Sequence, residues 1–203
     1  WPDNKLVDTS RPTPEIDEIF ARSKVIRGKY RMHRHAPMPL ETRGAAAEFR
    51  RGRLTVWTST QVPHQERTIL SRILGLSETD IQVIAPDVGG GFGGKLQLYP
   101  EDAVVAWLAM HSGRPTRWIE DRREHLIASS HARDEEVEIE GAVDAEGHLV
   151  ALRARLLVNM GSGEIYPPGS APAFVSASSL TSVYRIPVAA AIVTCVVTNT
   201  TPS

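Results

Sequence analysis

Val88-Gly89-Gly90-Gly91-Phe92-Gly93-Gly94-Lys95 governs the reading of this chain. Five of the eight residues are glycine, and one large aromatic stands among them. Glycine has no Cβ, so it accepts positive φ and lets backbone approach a ligand closely. Successive N–H groups in such a turn form a concavity suited to an anion. Just before it, Ile81-Gln82-Val83-Ile84-Ala85-Pro86 reads as a buried strand that delivers the loop to a sheet edge. A merely flexible turn is the plain alternative. It would spend five glycines, each costly in chain entropy, on nothing.

Two familiar phosphate loops almost fit. Gly89, Gly91 and Gly94 satisfy the dinucleotide spacing G-x-G-x-x-G, which also needs a helix opening directly from the turn. Here Lys95-Leu96-Gln97-Leu98-Tyr99 intervenes before Pro100, the first credible helix start. Gly89, Gly94 and Lys95 satisfy G-x-x-x-x-G-K, but Leu96 follows where a phosphate loop needs Ser or Thr for magnesium.

Composition narrows the classes. A chain of 203 residues can bury a real core, in one large or two small domains. A net charge of −1 gives no global basic field for nucleic acid or an anionic membrane. No apolar run approaches the ~20 residues that span a bilayer. The opening Trp1-Pro2-Asp3-Asn4 is unlike a signal peptide and lacks an initiator Met, as expected of an excised or processed piece of a cytoplasmic protein. A single cysteine excludes an intrachain disulfide and a Cys-ligated iron–sulfur cluster on this chain. Cys195 falls in a buried-strand pattern and reads as core.

Periodicity predicts an α+β fold, mixed sheets with packed helices. Residues 1–24 read as a connector or surface arm, and 25–203 as one domain. His33 and His35 share a strand face but supply only two possible metal ligands. Glu41 and Arg43 are close enough to pair and brace a turn. A hairpin is expected around residues 50–53. A helix should start at Pro63, present Ile69, Leu70, Ile73 and Leu74 to the core, and stop at Gly75. Gln61 precedes that helix at a strand end, where sites in α/β layers gather. The helix from Pro100 is apolar on every face over residues 103–110, hence buried. Residues 120–125 are charge-dense and read as a solvated face. A half-buried hairpin near residues 135–160 is expected at the periphery. Residues 161–183, with Tyr166 and Phe174, read as a long loop or loop plus helix, a lid or interface. A last strand runs over 188–198.

The string G-G-G-F-G-G-K after I-A-P-D-V resembles the glycine loop of the xanthine dehydrogenase/aldehyde oxidase family of molybdenum hydroxylases, in details most like aerobic carbon monoxide dehydrogenase large subunits. Glu41-Thr42-Arg43-Gly44 and Ser59-Thr60-Gln61 match two further family segments, and the likeness runs from about Lys29 to the end. The resemblance implies a partial molybdopterin-binding domain of a large subunit. Its cofactor would be molybdenum-molybdopterin, the cytosine dinucleotide form being within the family's range. Gly90, Gly91, Phe92, Gly93 and Gly94 would pack on it, and Gln61 would donate to the metal's oxygen ligands in the catalytic site. No side chain would ligate the metal.

The same resemblance implies partners and a reaction. FAD and 2Fe-2S clusters would lie on other chains, an FAD-binding medium subunit and a 2Fe-2S small subunit. The remainder of the large subunit would bring an Arg-Gly loop and a catalytic glutamate. An aldehyde or heteroaromatic substrate would gain water-derived oxygen, and the isolated chain would be inactive. Leu96 stands where purine-oxidising members carry a substrate-binding Glu, and the copper-binding cysteine of carbon monoxide oxidisers is not in this chain. Two other readings stay open: a structural or assembly piece without a site of its own, and a nucleotide-binding module.

Overall fold

The computed structural model describes residues 3–9, 14–162 and 171–202. The chain forms two compact units, Ala36–His131 and the pairing of Trp1–His35 with Ala132–Ser203. Each carries a mixed sheet with packed helices, the α+β arrangement that the periodicity predicts.

The first unit is a single stretch of chain. Its strands are β3 (Gly44–Arg50), β4 (Arg53–Thr58), β5 (Ile81–Ile84) and β6 (Thr116–Ile119), in the order β5-β4-β3-β6. β3 and β4 are a hairpin closed by Arg51 and Gly52, both at positive φ, as a two-residue primed turn requires. β4 and β5 run parallel, joined by helix α2 (Pro63–Leu74), which Gly75 ends in the left-handed conformation. Helix α3 (Pro100–Ser112) starts on Pro100, with Asp102 accepting from the Tyr99 N–H at 3.1 Å. Ala45, Ala47, Leu54, Val56, Leu70, Ile81, Val105, Ala106 and Ala109 make the core between sheet and helices.

Two helix faces differ from their sequence patterns. Ile73 is 57% exposed, because the inward stripe of α2 is completed by Glu66 and Leu70 instead. α3 buries Val105, Ala106 and Ala109 but leaves Val104, Trp107 and Leu108 outside. The sheet covers only one side of it, so an apolar surface does not by itself ensure burial.

The second unit orders its strands β1 (Lys5–Asp8), β9 (Val188–Val196), β8 (Leu149–Asn159), β7 (Glu135–Val143) and β2 (Lys24–Met32). The β7–β8 hairpin thus lies inside the sheet, not at its periphery. The segment 1–24, expected as an arm, contributes an edge strand and helix α1 (Pro14–Arg22), whose Ile16 and Phe20 pack on Ala142 and Ala151. β2 and β7 pair in a charge-matched register: Arg27 faces Glu140 and Lys29 faces Glu138, at 2.8 and 3.0 Å. Helix α5 (Ala171–Ser178) packs on β9 and β8, so the Gly/Pro/Ser-rich stretch is partly helical. Tyr166 lies outside the described residues. Cys195 is fully buried beside Val193.

Candidate cofactor cradle

Adjacent parallel strands release their chains at the same end, and here that geometry assembles the site. Trp57 of β4 pairs with Ile84 of β5. β4 therefore delivers Ser59-Thr60-Gln61, and β5 delivers the glycine loop, to one edge of the sheet. The Gln61 N–H donates to the Lys95 carbonyl at 2.8 Å, and the Lys95 N–H donates to Gln61 Oε1 at 3.2 Å. This reciprocal pair lays the Gln61 side chain against Gly91. A Cβ at Gly91 would sit 2.8 Å from Gln61 Cγ and collide with the amide group beyond it. Gln61 is exposed, and with Oε1 tied down its NH₂ group has no acceptor among the described residues.

The loop itself is contorted. Gly90, Phe92 and Gly93 have φ of +97°, +52° and +87°. Only glycine enters that region freely, so Phe92 is held there against its own preference. Its ring is 77% exposed. Gly90 donates to the Val88 carbonyl and Gly94 to the Gly91 carbonyl, each at 2.9 Å. Between them, the N–H groups of Gly91, Phe92 and Gly93 have no protein acceptor among the described residues. Three consecutive backbone donors are thus left without a protein acceptor among the described residues, the kind of group that pairs with an anion.

Glu41 supports the loop from behind, through a partner its own neighbourhood does not reveal. Its Oε2 accepts from the Lys95 ammonium at 2.7 Å, the Ser59 hydroxyl at 2.7 Å and the Gly89 N–H at 2.8 Å. Burial would raise its pKa; these three donors outweigh burial and hold the carboxyl below the usual range. A Cβ at Gly89 would come 2.6 Å from Glu41 Cβ, so this glycine serves close approach. Lys95, only 1% exposed, is drawn under the loop by that carboxylate.

The Glu41–Arg43 pair expected from sequence does not form. Arg43 instead donates through Nε and Nη2 to Glu120 Oε1, at 2.9 and 2.5 Å, and stacks over the Tyr99 ring at 3.6 Å. Glu120 Oε2 faces His125 Nδ1 at 2.8 Å, while His125 Nε2–H donates to the Pro37 carbonyl at 2.8 Å. Burial pushes the Glu120 pKa up, but Arg43 and His125 more than reverse it. Residues 120–125 are a solvated face only in part: Asp121, Arg123 and Glu124 are exposed, but Glu120 and His125 are buried. Asp121 caps helix α4 (Arg122–Ala128) by accepting from the Arg123 and Glu124 N–H groups, while Glu124 accepts back from the Asp121 N–H. That D-x-x-E box was the legible signal for a helix the charge pattern concealed. His33 and His35 gather no third ligand; among the described residues no group of three His, Cys, Asp or Glu stands together.

The family model described as molybdopterin cofactor-binding domain matches residues 2–203, reaching further toward the N-terminus than the recognisable motifs do. The large subunit of nicotine 6-hydroxylase from Paenarthrobacter nicotinovorans is 37% identical over 99% of this chain. The carbon monoxide dehydrogenase large chain of Afipia carboxidovorans is 39% identical over 72% of it. Quinoline 2-oxidoreductase from Pseudomonas putida 86 superposes on 98% of the chain with a TM-score of 0.89 and 36% identity. The chain spans 25% of the first of these proteins, 18% of the second and 26% of the third. With a family model matching almost its whole length, the chain belongs to the molybdopterin cofactor-binding domain family.

Proposed function

We propose that this chain supplies the glycine-loop side of the cofactor cradle in a molybdenum hydroxylase. The observation that carries the reading is the unpaired donor run Gly91-Phe92-Gly93 with the Gln61 amide seated against Gly91. Gly91, Phe92 and Gly93 would hold anionic oxygen or sulfur ligands through backbone N–H groups, with Gly90 and Gly94 shaping the turn. Gln61 would donate through its NH₂ to the bound cofactor. When bound, the molybdenum-molybdopterin supplies the two-electron oxidation of substrate and accepts oxygen from water; protein groups orient and polarise. Glu41 and Lys95 fix the loop so that its donors are aimed before the cofactor arrives, which lowers the reorganisation needed on binding.

The finer parts of the reading rest on the family likeness. The pterin could include the cytosine dinucleotide form. Electrons would leave through 2Fe-2S and FAD carried by other chains, in a cytoplasmic complex with a small subunit, a medium subunit and further large-subunit sequence. The substrate class is an aldehyde or a heteroaromatic ring other than a purine, because Leu96 offers a purine nitrogen no hydrogen bond.

Gly91→Val tests the cradle. Gly91 is outside the positive-φ residues, so the new side chain strains no backbone, but it must evict Gln61. The assembled enzyme should melt within a few degrees of the parent and lose most of its molybdenum by metal analysis. Unchanged metal content would refute the cradle.

A further inference from the structure

The Gln61 amide is aimed from beneath the glycine loop. Its Oε1 accepts from the Lys95 N–H at 3.2 Å. That N–H shares a peptide unit with the Gly94 carbonyl. A trans peptide unit is planar, with its C=O and N–H pointing opposite ways. Whatever fixes the Gly94 carbonyl therefore fixes the direction in which Lys95 donates. The Gly94 carbonyl is held by Tyr99, which reaches back along the chain and donates its hydroxyl at 2.8 Å.

The groups around the phenol fix the direction of that bond. A carbonyl oxygen only accepts, so the hydrogen in the 2.8 Å contact is the phenol's. The Tyr99 oxygen accepts in turn from the Ser130 N–H at 3.1 Å, which can only donate. The Ser130 hydroxyl, at 3.2 Å, has a hydrogen of its own to give. Tyr99 is 3% exposed, and Gly94, Lys95 and Ser130 are buried, so water competes little for these bonds. The ring is held as well. The Arg43 guanidinium lies 3.6 Å from its centroid, and Glu120 and Glu101 hold Arg43 in place. The Tyr99 N–H donates to Asp102 at the start of α3. The hydroxyl thus stands on a fixed base, between the first turn of α3 and the residues just past α4.

We propose that Tyr99 is a positioning residue of the cradle: its hydroxyl pins the Gly94 carbonyl and so aims the Lys95 N–H at Gln61 Oε1, which leaves the Gln61 NH₂ free to donate. The proposal rests on the cradle reading only for its bearing on cofactor. The series runs in one direction, from the Ser130 N–H through the Tyr99 hydroxyl and the Gly94–Lys95 peptide to the Gln61 amide. Hydrogen bonds in such a series polarise one another, so the NH₂ group at its end is a stronger donor than an isolated glutamine's.

Tyr99→Phe keeps the ring under Arg43 and removes only the hydroxyl. NMR of this chain reads the effect without any cofactor. Amide exchange at Lys95 should rise by about ten-fold, the order that one hydrogen bond sets. The Gln61 side-chain NH₂ signals should move toward those of a solvated glutamine and show faster motion. Amides of β3 and β4 should exchange at parental rates. Thr116→Val is the control. It removes another hydroxyl bond of the same unit, from Thr116 to the Val105 carbonyl at 2.7 Å, and should leave the Lys95 and Gln61 signals unchanged. Parental Lys95 exchange and parental Gln61 signals in Tyr99→Phe overturn the proposal. So does a loss of protection spread equally over β3 and β4, because Tyr99 would then hold the core and not the loop. Should Tyr99→Phe fail to fold, the parent decides. In mixed light and heavy water, the Gly94 carbonyl carbon should show an isotope shift from the Tyr99 hydroxyl besides those from the neighbouring amides; the amide shifts alone refute the proposal. Failure here leaves the cradle standing, and a Gly91→Val enzyme that keeps its molybdenum leaves the Tyr99 result standing.

Discussion

Phe92 occupies left-handed backbone at φ +52° while burying little of its ring. Left-handed backbone costs a side-chain-bearing residue roughly 1–2 kcal/mol, and little packing offsets that here. Phe92→Gly should therefore leave stability unchanged or raise it by about 1 kcal/mol, measured by denaturant melts of the chain. A loss of more than that would mean the ring packs on protein. Its place would then be structural and not a face kept for the cofactor. Gln61 makes the complementary case. Its Oε1 is occupied by Lys95 and its NH₂ is spare, so Gln61→Ala should let the assembled enzyme keep its molybdenum and slow its turnover. One preorganised donor at developing charge is worth ~2.7–4 kcal/mol, or about a hundred- to a thousand-fold in kcat. Parental turnover would reduce Gln61 to a loop brace.

Among the elements, β3, β6 and α4 are joined through one buried charge cluster. Arg43 and Glu120 have side chains 5% and 0% exposed, so removing the carboxylate strands a guanidinium in the core. Breaking such a pair costs ~3–5 kcal/mol, and the lower figure applies here because Glu101 still faces Arg43 at 3.2 Å. Glu120→Gln should lower unfolding free energy by about 3 kcal/mol at neutral pH. The pKa of Glu120 is depressed on folding, so its contribution is present above the ordinary 4.5 and is lost as pH falls through the lower folded value. Acid melts should thus converge, the variant losing less below pH 4.5 than the parent does. Parallel acid profiles would show that Glu120 is not the group titrating.

Most element positions were legible because punctuation and period agree locally. Pro63 with Gly75, Arg51 with Gly52, and Pro100 with Asp102 each lie within a few residues of what they organise. The position of the glycine loop and of Gln61 at neighbouring strand ends was legible as well. What escaped was every decision made over long range. Glu41 meets Lys95 and Arg43 meets Glu120 across more than fifty positions, so the near pair Glu41–Arg43 misled. Glu120 and His125 looked solvated because charge density does not reveal a partner in another element. Glu66 was hidden by the apolar stripe beside it.

At the scale of the whole molecule, Ala36–His131 is unbroken in sequence and has its own sheet, helices and core. It also contains Gln61, Tyr99, the glycine loop and the Arg43–Glu120–His125 cluster. Produced alone, residues 36–131 should unfold in one cooperative transition with dispersed amide signals, as a self-sufficient domain does. A broad, non-cooperative melt would show that its core needs the remaining residues. The other unit cannot be tested this way with one continuous piece, because β2 and β7 lie on either side of the first.

That pairing has a consequence during synthesis. β2 leaves the ribosome first, and its partner β7 follows only after about a hundred further residues have been added, roughly 5–20 s at ordinary translation rates. Throughout that wait β2 is an edge with nothing beside it, the state in which strands recruit the wrong neighbour. Its sequence, Lys24-Val25-Ile26-Arg27-Gly28-Lys29-Tyr30-Arg31-Met32, carries four positive charges in nine residues. Two nascent copies of it repel each other, whereas the Glu135-Glu136-Val137-Glu138-Ile139-Glu140 run of β7 attracts it. The ladder of opposite charges that sets register in the finished sheet should thus also disfavour pairing between nascent copies of β2 until β7 has been made.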